Sequence, residues 1–290
     1  MNRCLVFLLA LVCASVTISS ACVAAPSEWV GFTLDPERGS DRIHATFRDD
    51  SRNRNDNSWS TGFRPSDLIG MDVAGFRAAG TRPVHFAIIR EAGRLDCAGN
   101  GGNAHAAGNC RFSVDPAFAR LLASRGIAQP TRDQAFAMMA VNVRSELINA
   151  IAAARYATPS VDDLIAMTAV GANGSYISEL ARAGYRPDSI HSLIEFRALG
   201  ITPEWIGEMA RIGYANLPSN DLVQMRALGI TADYISGFDG VGYRKLPVNE
   251  LVQLKALGIT PEFARAAAGQ RQALPPVDEL VQMKVLGHLR

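Results

Sequence analysis

The chain has 290 residues, a length that allows one or two domains. Its 29 basic and 28 acidic side chains leave a formal net charge of +1, which gives no support for nucleic-acid binding, because that function needs a concentrated basic face. After residue 25, no stretch is long and apolar enough to predict a membrane-spanning helix.

Residues 1–25 have the pattern of an export signal. Arg3 supplies the positive charge, residues 5–16 form an apolar stretch, and Ala21 and Ala24 are small residues after which cleavage is expected. We therefore expect the protein to work in the periplasm or outside the cell.

The cysteines divide between the signal and the exported part. Cleavage before Cys22 would produce a lipoprotein, but Ser19 stands where that signal usually has Leu, Val or Ile, so lipidation is the less favoured alternative. Cys97 and Cys110 then remain as a pair in an exported protein, for which a disulfide is the default interpretation. We expect the glycine-rich segment between them to be flexible, or to be the tip of a hairpin if the cysteines face each other. A metal site lacks ligands, because only His105 lies nearby and structural zinc needs four.

Residues 26–125 are expected to form a β-rich domain. Four runs of alternating apolar and polar residues predict strands, with the apolar side chains of each run on one face. These runs begin at Val30, Ile43, Val84 and Cys110. Residues 91–97 predict a turn that leads into a further strand. The polar residues 49–58 predict a solvated loop, and residues 65–68 the start of a short helix.

Helical patterns take over at Asp115, which is a good N-cap and is followed by proline in the first helical turn. From about residue 127, one pattern returns every 29 residues. The copies align at Leu164, Leu193, Leu222, Leu251 and Leu280, and each first half ends at Gly171, Gly200, Gly229, Gly258 or Gly287. A fixed period of this length is typical of stacked repeats.

Each unit predicts two helices. The first ends at the glycine, and the second begins at a Thr cap that is followed by Pro and Glu, as at Thr202 and Thr260. A single unit is shorter than the roughly 40 residues that usually fold alone, so the units must bury their apolar faces against their neighbours. Residues 126–290 are thus expected to form an α-solenoid of about five and a half repeats, which gives an α+β chain overall.

Equivalent positions form ladders along these units. One aromatic ladder is Tyr176, Trp205, Tyr234 and Phe263, and another is Tyr156, Tyr185, Tyr214 and Tyr243. We favour a core between repeats over a ligand platform for both, since each ring can pack on its neighbour. A basic ladder contains Arg197, Arg226, Lys255 and Lys284, and an acidic ladder contains Glu146, Glu204, Asp233 and Glu262. Solvated faces are the simplest interpretation of the charged ladders. The alternative is a binding surface made by the basic ladder with Trp205 and Tyr234.

The last unit has a first helix but no second. We expect Val281 and Leu286 to be partly exposed there, unless a partner or a second copy of the chain covers them. Self-association through this half-repeat is therefore a further expectation.

No motif for chemistry is present. The histidines do not form HExxH or another metal spacing, and the chain has no GxSxG, SxxK or Cys-His nucleophile pattern. We therefore expect no catalytic residue, no cofactor and no metal.

Two segments together resemble a known family. Residues 83–93, followed by residues 112–118, accompany the repeat Asp-Leu-(Val/Ile)-x-(Met/Leu)-(Arg/Lys)-Ala-Leu-Gly-Ile-Thr-Pro-Glu-(Tyr/Trp/Phe). This combination resembles the exported C-terminal extension of bacterial penicillin-sensing-type regulator metallopeptidases, and stand-alone periplasmic proteins built from the same parts. It covers roughly residues 59–290. The peptidase domain and its HExxH motif are absent, so the resemblance implies a sensory or protein-binding role and supplies no catalytic residue.

We therefore expect a non-catalytic scaffold or sensory protein of the bacterial envelope that binds a protein or peptide. One alternative is a sensor of a small ligand or cell-wall fragment, with its site at the junction of the two domains. The other is an uncharacterised hydrolase.

Overall fold

The computed structural model describes residues 29–48, 58–269 and 274–287. The expected export signal, Cys22 and almost all of the expected polar loop lie outside these ranges. The described chain is a mixed α+β protein, with a six-stranded antiparallel sheet followed by a series of helices. None of the described helices combines the length and the apolar character needed to cross a bilayer.

The sheet has the strand order β3-β2-β1-β6-β5-β4, and all neighbouring strands are antiparallel. Its strands are β1 (Trp29–Pro36), β2 (Ile43–Arg48), β3 (Ser58–Phe63), β4 (Arg82–Arg90), β5 (Gly93–Gly102) and β6 (His105–Val114). The alternation in the sequence places the apolar side chains of these strands on one buried face, where Phe32 and Phe86 meet edge to face. Between β3 and β4 lie a 3-10 helix (Pro65–Asp67) and the short helix α1 (Val73–Arg77).

Strands β5 and β6 form the hairpin that the cysteines indicated. Cys97 lies directly opposite Cys110 in the register, and the two are joined by a disulfide. The glycine-rich segment between them is not a flexible loop. It continues both strands as far as a two-residue turn at Asn103 and Ala104, whose φ angles are 53° and 60°. Gly99 has no room for a Cβ atom next to the backbone of the facing strand, so its glycine permits close strand pairing.

Helix α2 (Pro116–Ser124) follows the sheet, and its N-cap is Asp115, as the sequence indicates. The carboxylate of Asp115 accepts hydrogen bonds from the amides of Ala117 and Phe118 at 2.8 and 2.9 Å. The remaining helices are α3 (Arg132–Val141), α4 (Ser145–Ala153), α5 (Val161–Val170), α6 (Gly174–Arg182), α7 (Ile190–Ala198), α8 (Pro203–Arg211), α9 (Ser219–Ala227), α10 (Ala232–Asp239), α11 (Val248–Ala256), α12 (Pro261–Gly269) and α13 (Val277–Val285).

The odd-numbered helices from α3 to α13 each contact the next odd-numbered helix, and α4 contacts α6 in the same way. Each of α5, α7, α9, α11 and α13 begins 29 residues after the previous one. One continuous hydrophobic core runs from the sheet to α13, and it includes Phe47, Phe118, Phe196 and Leu280. At its end, Val281 is partly buried against this core, whereas Leu286 is exposed.

The sheet meets the first helices through two side chains that are consecutive in sequence. The guanidinium of Arg90 donates to the carbonyl oxygens of Met139 and Ala140 at the end of α3. The carboxylate of Glu91 accepts a 2.6 Å hydrogen bond from the amide of Ser145, the first residue of α4. The sheet therefore caps helices that lie about 50 residues later in the chain.

Candidate functional site: cations over aromatic rings in the helical region

The first aromatic ladder is fixed at the start of the even-numbered helices. A capping side chain accepts the amide hydrogen of each ring residue: the Asn173 side chain accepts from Tyr176 at 3.0 Å, and the Thr202 hydroxyl accepts from Trp205 at 3.3 Å. The Thr231 and Thr260 hydroxyls do the same in the next two units. This local geometry sets every ring in the first helical turn, and Tyr176 and Trp205 are buried there.

Each member of the basic ladder lies over the ring of the preceding unit. The Arg197 guanidinium is 5.2 Å from the centre of the Tyr176 ring, and the Lys255 ammonium is 4.5 Å from that of Tyr234. Arg226 over Trp205, at 5.5 Å, and Lys284 over Phe263, at 5.3 Å, complete the series. Such contacts contribute about 0.5–1 kcal/mol each at exposed sites. In the structure, each residue of the basic ladder is thus paired with a ring of the first aromatic ladder.

The rings belong to the packing between units. The hydroxyl of Tyr176 donates to the carbonyl of Ile201 at 2.6 Å, and that of Tyr234 donates to the carbonyl of Ile259 at 2.8 Å. Burial raises the pKa of both phenols. These hydrogen bonds agree with a core role for the rings of Tyr176 and Tyr234, and the burial of Trp205 agrees with the same role.

The second tyrosine ladder is also structural. Its hydroxyls donate to carbonyls just ahead of the next unit's first helix, which are those of Pro187, Leu217, Leu246 and Pro275. Burial raises the pKa of Tyr214 and that of Tyr243 to about 12. The second ladder therefore ties consecutive units together through its hydroxyl groups.

The acidic ladder does not neutralise the basic one. Exposed Glu204 and Glu262 lie at the starts of α8 and α12, where hydrogen bonds from their own backbone amides and from the Thr202 and Thr260 hydroxyls lower the pKa of each carboxyl. Within the described ranges, no carboxylate forms an ion pair with a member of the basic ladder. The four members of the basic ladder are therefore without an ion-pair partner among the described residues.

Each of the first three cations is followed in sequence by a half-exposed leucine. Leu199, Leu228 and Leu257 are 36%, 37% and 38% exposed, and each follows a basic residue by two positions. The Arg226 guanidinium donates to the carbonyl of Leu199 at 3.2 Å, so the cation of one unit lies beside the leucine of the preceding unit. We call this surface the ladder edge, and it comprises Arg197, Leu199, Arg226, Leu228, Lys255, Leu257 and Lys284. The recurrence of these leucines just before each helix-ending glycine was the signal for a shared edge.

A second candidate site lies between the sheet and α3. A cavity of about 220 Å³ there is lined by Ser58, Trp59, Asp133, Phe136, Ala137, Ala140 and Val141. The Arg90 guanidinium lies 5.2 Å from the centre of the Trp59 ring, and Trp59 meets Phe136 edge to face. A wider depression of about 510 Å³ next to Trp29 and Arg111 is open to solvent on the opposite face of the sheet.

Across the described ranges, His, Cys, Asp and Glu side chains do not gather in groups of three or more that could hold a metal ion. No family model matches the chain, and no curated protein matches it. The resemblance to penicillin-sensing-type regulators therefore stays a prediction. The ladder edge and the cavity are the two features that bear on function.

Proposed function

We propose that this chain is a non-catalytic, exported repeat protein that binds a partner protein through the ladder edge. In this proposal, helices α3 to α13 form an α-solenoid. The 29-residue spacing of the helix starts, the contacts between successive odd-numbered helices and the continuous core support that architecture. Solenoids present extended surfaces that commonly bind other proteins.

The observation that carries the proposal is the row of unneutralised cations. Each is held in place by an aromatic ring, so the positive charges are ordered before a partner arrives. Ordering in advance lowers the entropic cost of binding, and a row of one sign attracts an oppositely charged surface. An exported location is supported by the disulfide between Cys97 and Cys110, since such bonds persist in oxidising compartments.

A pair of double variants tests this proposal. Arg197→Glu with Arg226→Glu reverses two charges of the ladder edge. Arg182→Glu with Arg211→Glu reverses two exposed arginines that also lie in the last turns of helices but do not belong to the edge. Each protein is crosslinked in the native cell envelope, and the captured partners are identified.

We expect the partner captured by the original protein to be lost with the first variant and retained with the second. Circular dichroism spectra that match for all three proteins show that each is folded. Equal capture by both variants would overturn the proposal.

The cavity supports a second candidate function, the sensing of a small ligand or cell-wall fragment. Trp59 and Phe136 offer apolar walls, and Asp133 offers a carboxylate at the rim. Soluble cell-wall fragments should then raise the thermal stability of the protein, because a ligand that binds only the folded state stabilises it. Ala137→Leu, which narrows the cavity, should abolish that increase. Among the described residues, no observation favours the hydrolase alternative.

A further inference from the structure

The ladder edge alternates in chemistry along its length. The sequence of side chains across the units runs Arg197, Leu199, Arg226, Leu228, Lys255, Leu257 and Lys284. The hydrogen bond from Arg226 to the backbone carbonyl of Leu199 places this cation next to the residue that carries a half-exposed leucine side chain in the preceding unit. A ligand that covers this edge therefore meets positive charge and apolar surface in turn.

The step between units limits the shape of such a ligand. Packed helices lie about 8–10 Å apart, so equivalent side chains recur at roughly that distance along the edge. A peptide in the extended polyproline II conformation has three residues per turn and advances about 3.1 Å per residue, so every third side chain lies on the same side at steps of about 9 Å. An extended chain can also follow the twist of a solenoid, which a straight rod cannot.

The exposed leucines favour a peptide over a purely anionic polymer as the ligand. An anionic polysaccharide or nucleic acid would neutralise the cations but would leave Leu199, Leu228 and Leu257 in contact with water. An acidic segment with regularly placed apolar residues would satisfy both, because burial of the leucines adds to the electrostatic attraction.

We propose that the ladder edge binds an extended segment of the partner protein that carries one acidic and one apolar side chain in every three residues. This inference rests on the proposed function, since it specifies the chemistry of the partner. From Arg197 to Lys284, the edge has three steps and would accommodate about 10 residues of such a segment.

Synthetic peptides test the inference with the purified protein. The probe contains four Asp-Leu-Ser triplets and a fluorescent label. One comparison peptide has the same composition in three blocks, and a second places its acidic and apolar residues at heptad spacing for an α-helix. We expect the triplet peptide to bind at least about tenfold more tightly than either, as measured by fluorescence anisotropy, and to weaken as salt is raised.

Two matched variants assess the leucines. Leu199→Ala with Leu228→Ala should weaken binding of the triplet peptide by about tenfold or more, because both apolar contacts are truncated. Ile69→Ala with Ile89→Ala removes two exposed apolar side chains of the sheet region and should leave binding unchanged.

Several outcomes would overturn the inference: equal binding of the triplet and block peptides, preference for the helical peptide, or polyanion binding that does not depend on the leucines. If no peptide binds but the Arg197→Glu, Arg226→Glu variant still loses its envelope partner, the inference is wrong and the proposed function stands. If both experiments fail, both proposals are wrong.

Discussion

The Arg226 guanidinium lies 5.5 Å from the centre of the buried Trp205 ring, and the two residues belong to consecutive two-helix units. The same cation also donates to the carbonyl of Leu199 at the end of the helix that precedes Trp205. The Arg226 side chain thus makes two contacts with the preceding unit. This relationship predicts that the surface charge and the stability of the helical region are coupled.

A double-mutant cycle measures that coupling. We expect Arg226→Met and Trp205→Leu to show an interaction free energy of about 0.5–2 kcal/mol in urea unfolding, since each removes one partner of the same contact. The control cycle pairs Trp205→Leu with Arg211→Met, because exposed Arg211 has no such contact with the ring. A coupling no larger than that of the control cycle would show that the stacked arrangement contributes nothing to stability.

The Tyr214 hydroxyl should stabilise the protein in a pH-dependent way. It donates to the buried carbonyl of Leu246 at 2.7 Å, so Tyr214→Phe leaves that carbonyl unpaired and should cost about 1–3 kcal/mol near neutral pH. Burial raises the pKa of Tyr214 to about 12 in the folded state, whereas the ordinary value is 10.0.

The unfolded chain therefore loses this proton first as pH rises. The contribution of the hydroxyl to stability is complete below pH 10 and declines as the pH rises from 10 to 12. Urea unfolding of both proteins between pH 8 and pH 11.5 should show the stability difference shrinking at the alkaline end. A difference that stays constant would contradict the assigned pKa.

The sequence predicted the elements whose causes are local. Alternating residues predicted β1, β2, β4 and β6, and the Thr202 and Asp115 caps were identified from residue type and position. Strand β3 was missed because residues 58–63 contain no alternating apolar run. The strand is specified by its pairing with β2 and by the stacking of Trp59 on Phe47, which are contacts between distant segments.

The arrangement of the candidate site required the structure for a similar reason. A 29-residue period shows which residues are equivalent, but it does not show which ladder lies against which. The placement of Arg197 over Tyr176 depends on the angle at which consecutive helices pack. The exposure of Leu199 likewise depends on how closely the next unit approaches, which no pattern in the chain reports.

The disulfide between Cys97 and Cys110 should stabilise the sheet by about 3 kcal/mol, because it closes a short loop in the unfolded chain. Reduction should therefore lower the urea midpoint of the protein. The variant Cys97→Ala with Cys110→Ala should unfold at the lower midpoint and should not respond to the reductant. If complete reduction, verified by thiol titration, leaves the midpoint unchanged, the bond does not contribute to stability.

The contact between Glu91 and the start of α4 should make the protein sensitive to acid. Helix α4 has Arg144 at its N-cap position with no side-chain cap, and the Glu91 carboxylate accepts from the Ser145 amide instead. Burial acts to raise the pKa of Glu91, but the hydrogen bonds from Ser145 and the neighbouring Arg144 outweigh it, so the pKa lies below the ordinary value of 4.5.

The folded state therefore stabilises the ionised form of Glu91 relative to the unfolded chain. This stabilisation is present above pH 4.5 and disappears as pH falls through the lower pKa of the folded state. Glu91→Gln should reduce stability at pH 7, and the difference from the original protein should narrow progressively as the pH falls below 4.5. Glu208→Gln, which changes an exposed carboxylate on α8, should alter stability at pH 7 little. Thermal unfolding of the three proteins from pH 7 to pH 3 measures both effects. If the Glu91→Gln difference does not narrow as the pH falls, the carboxylate's charge is not what caps α4.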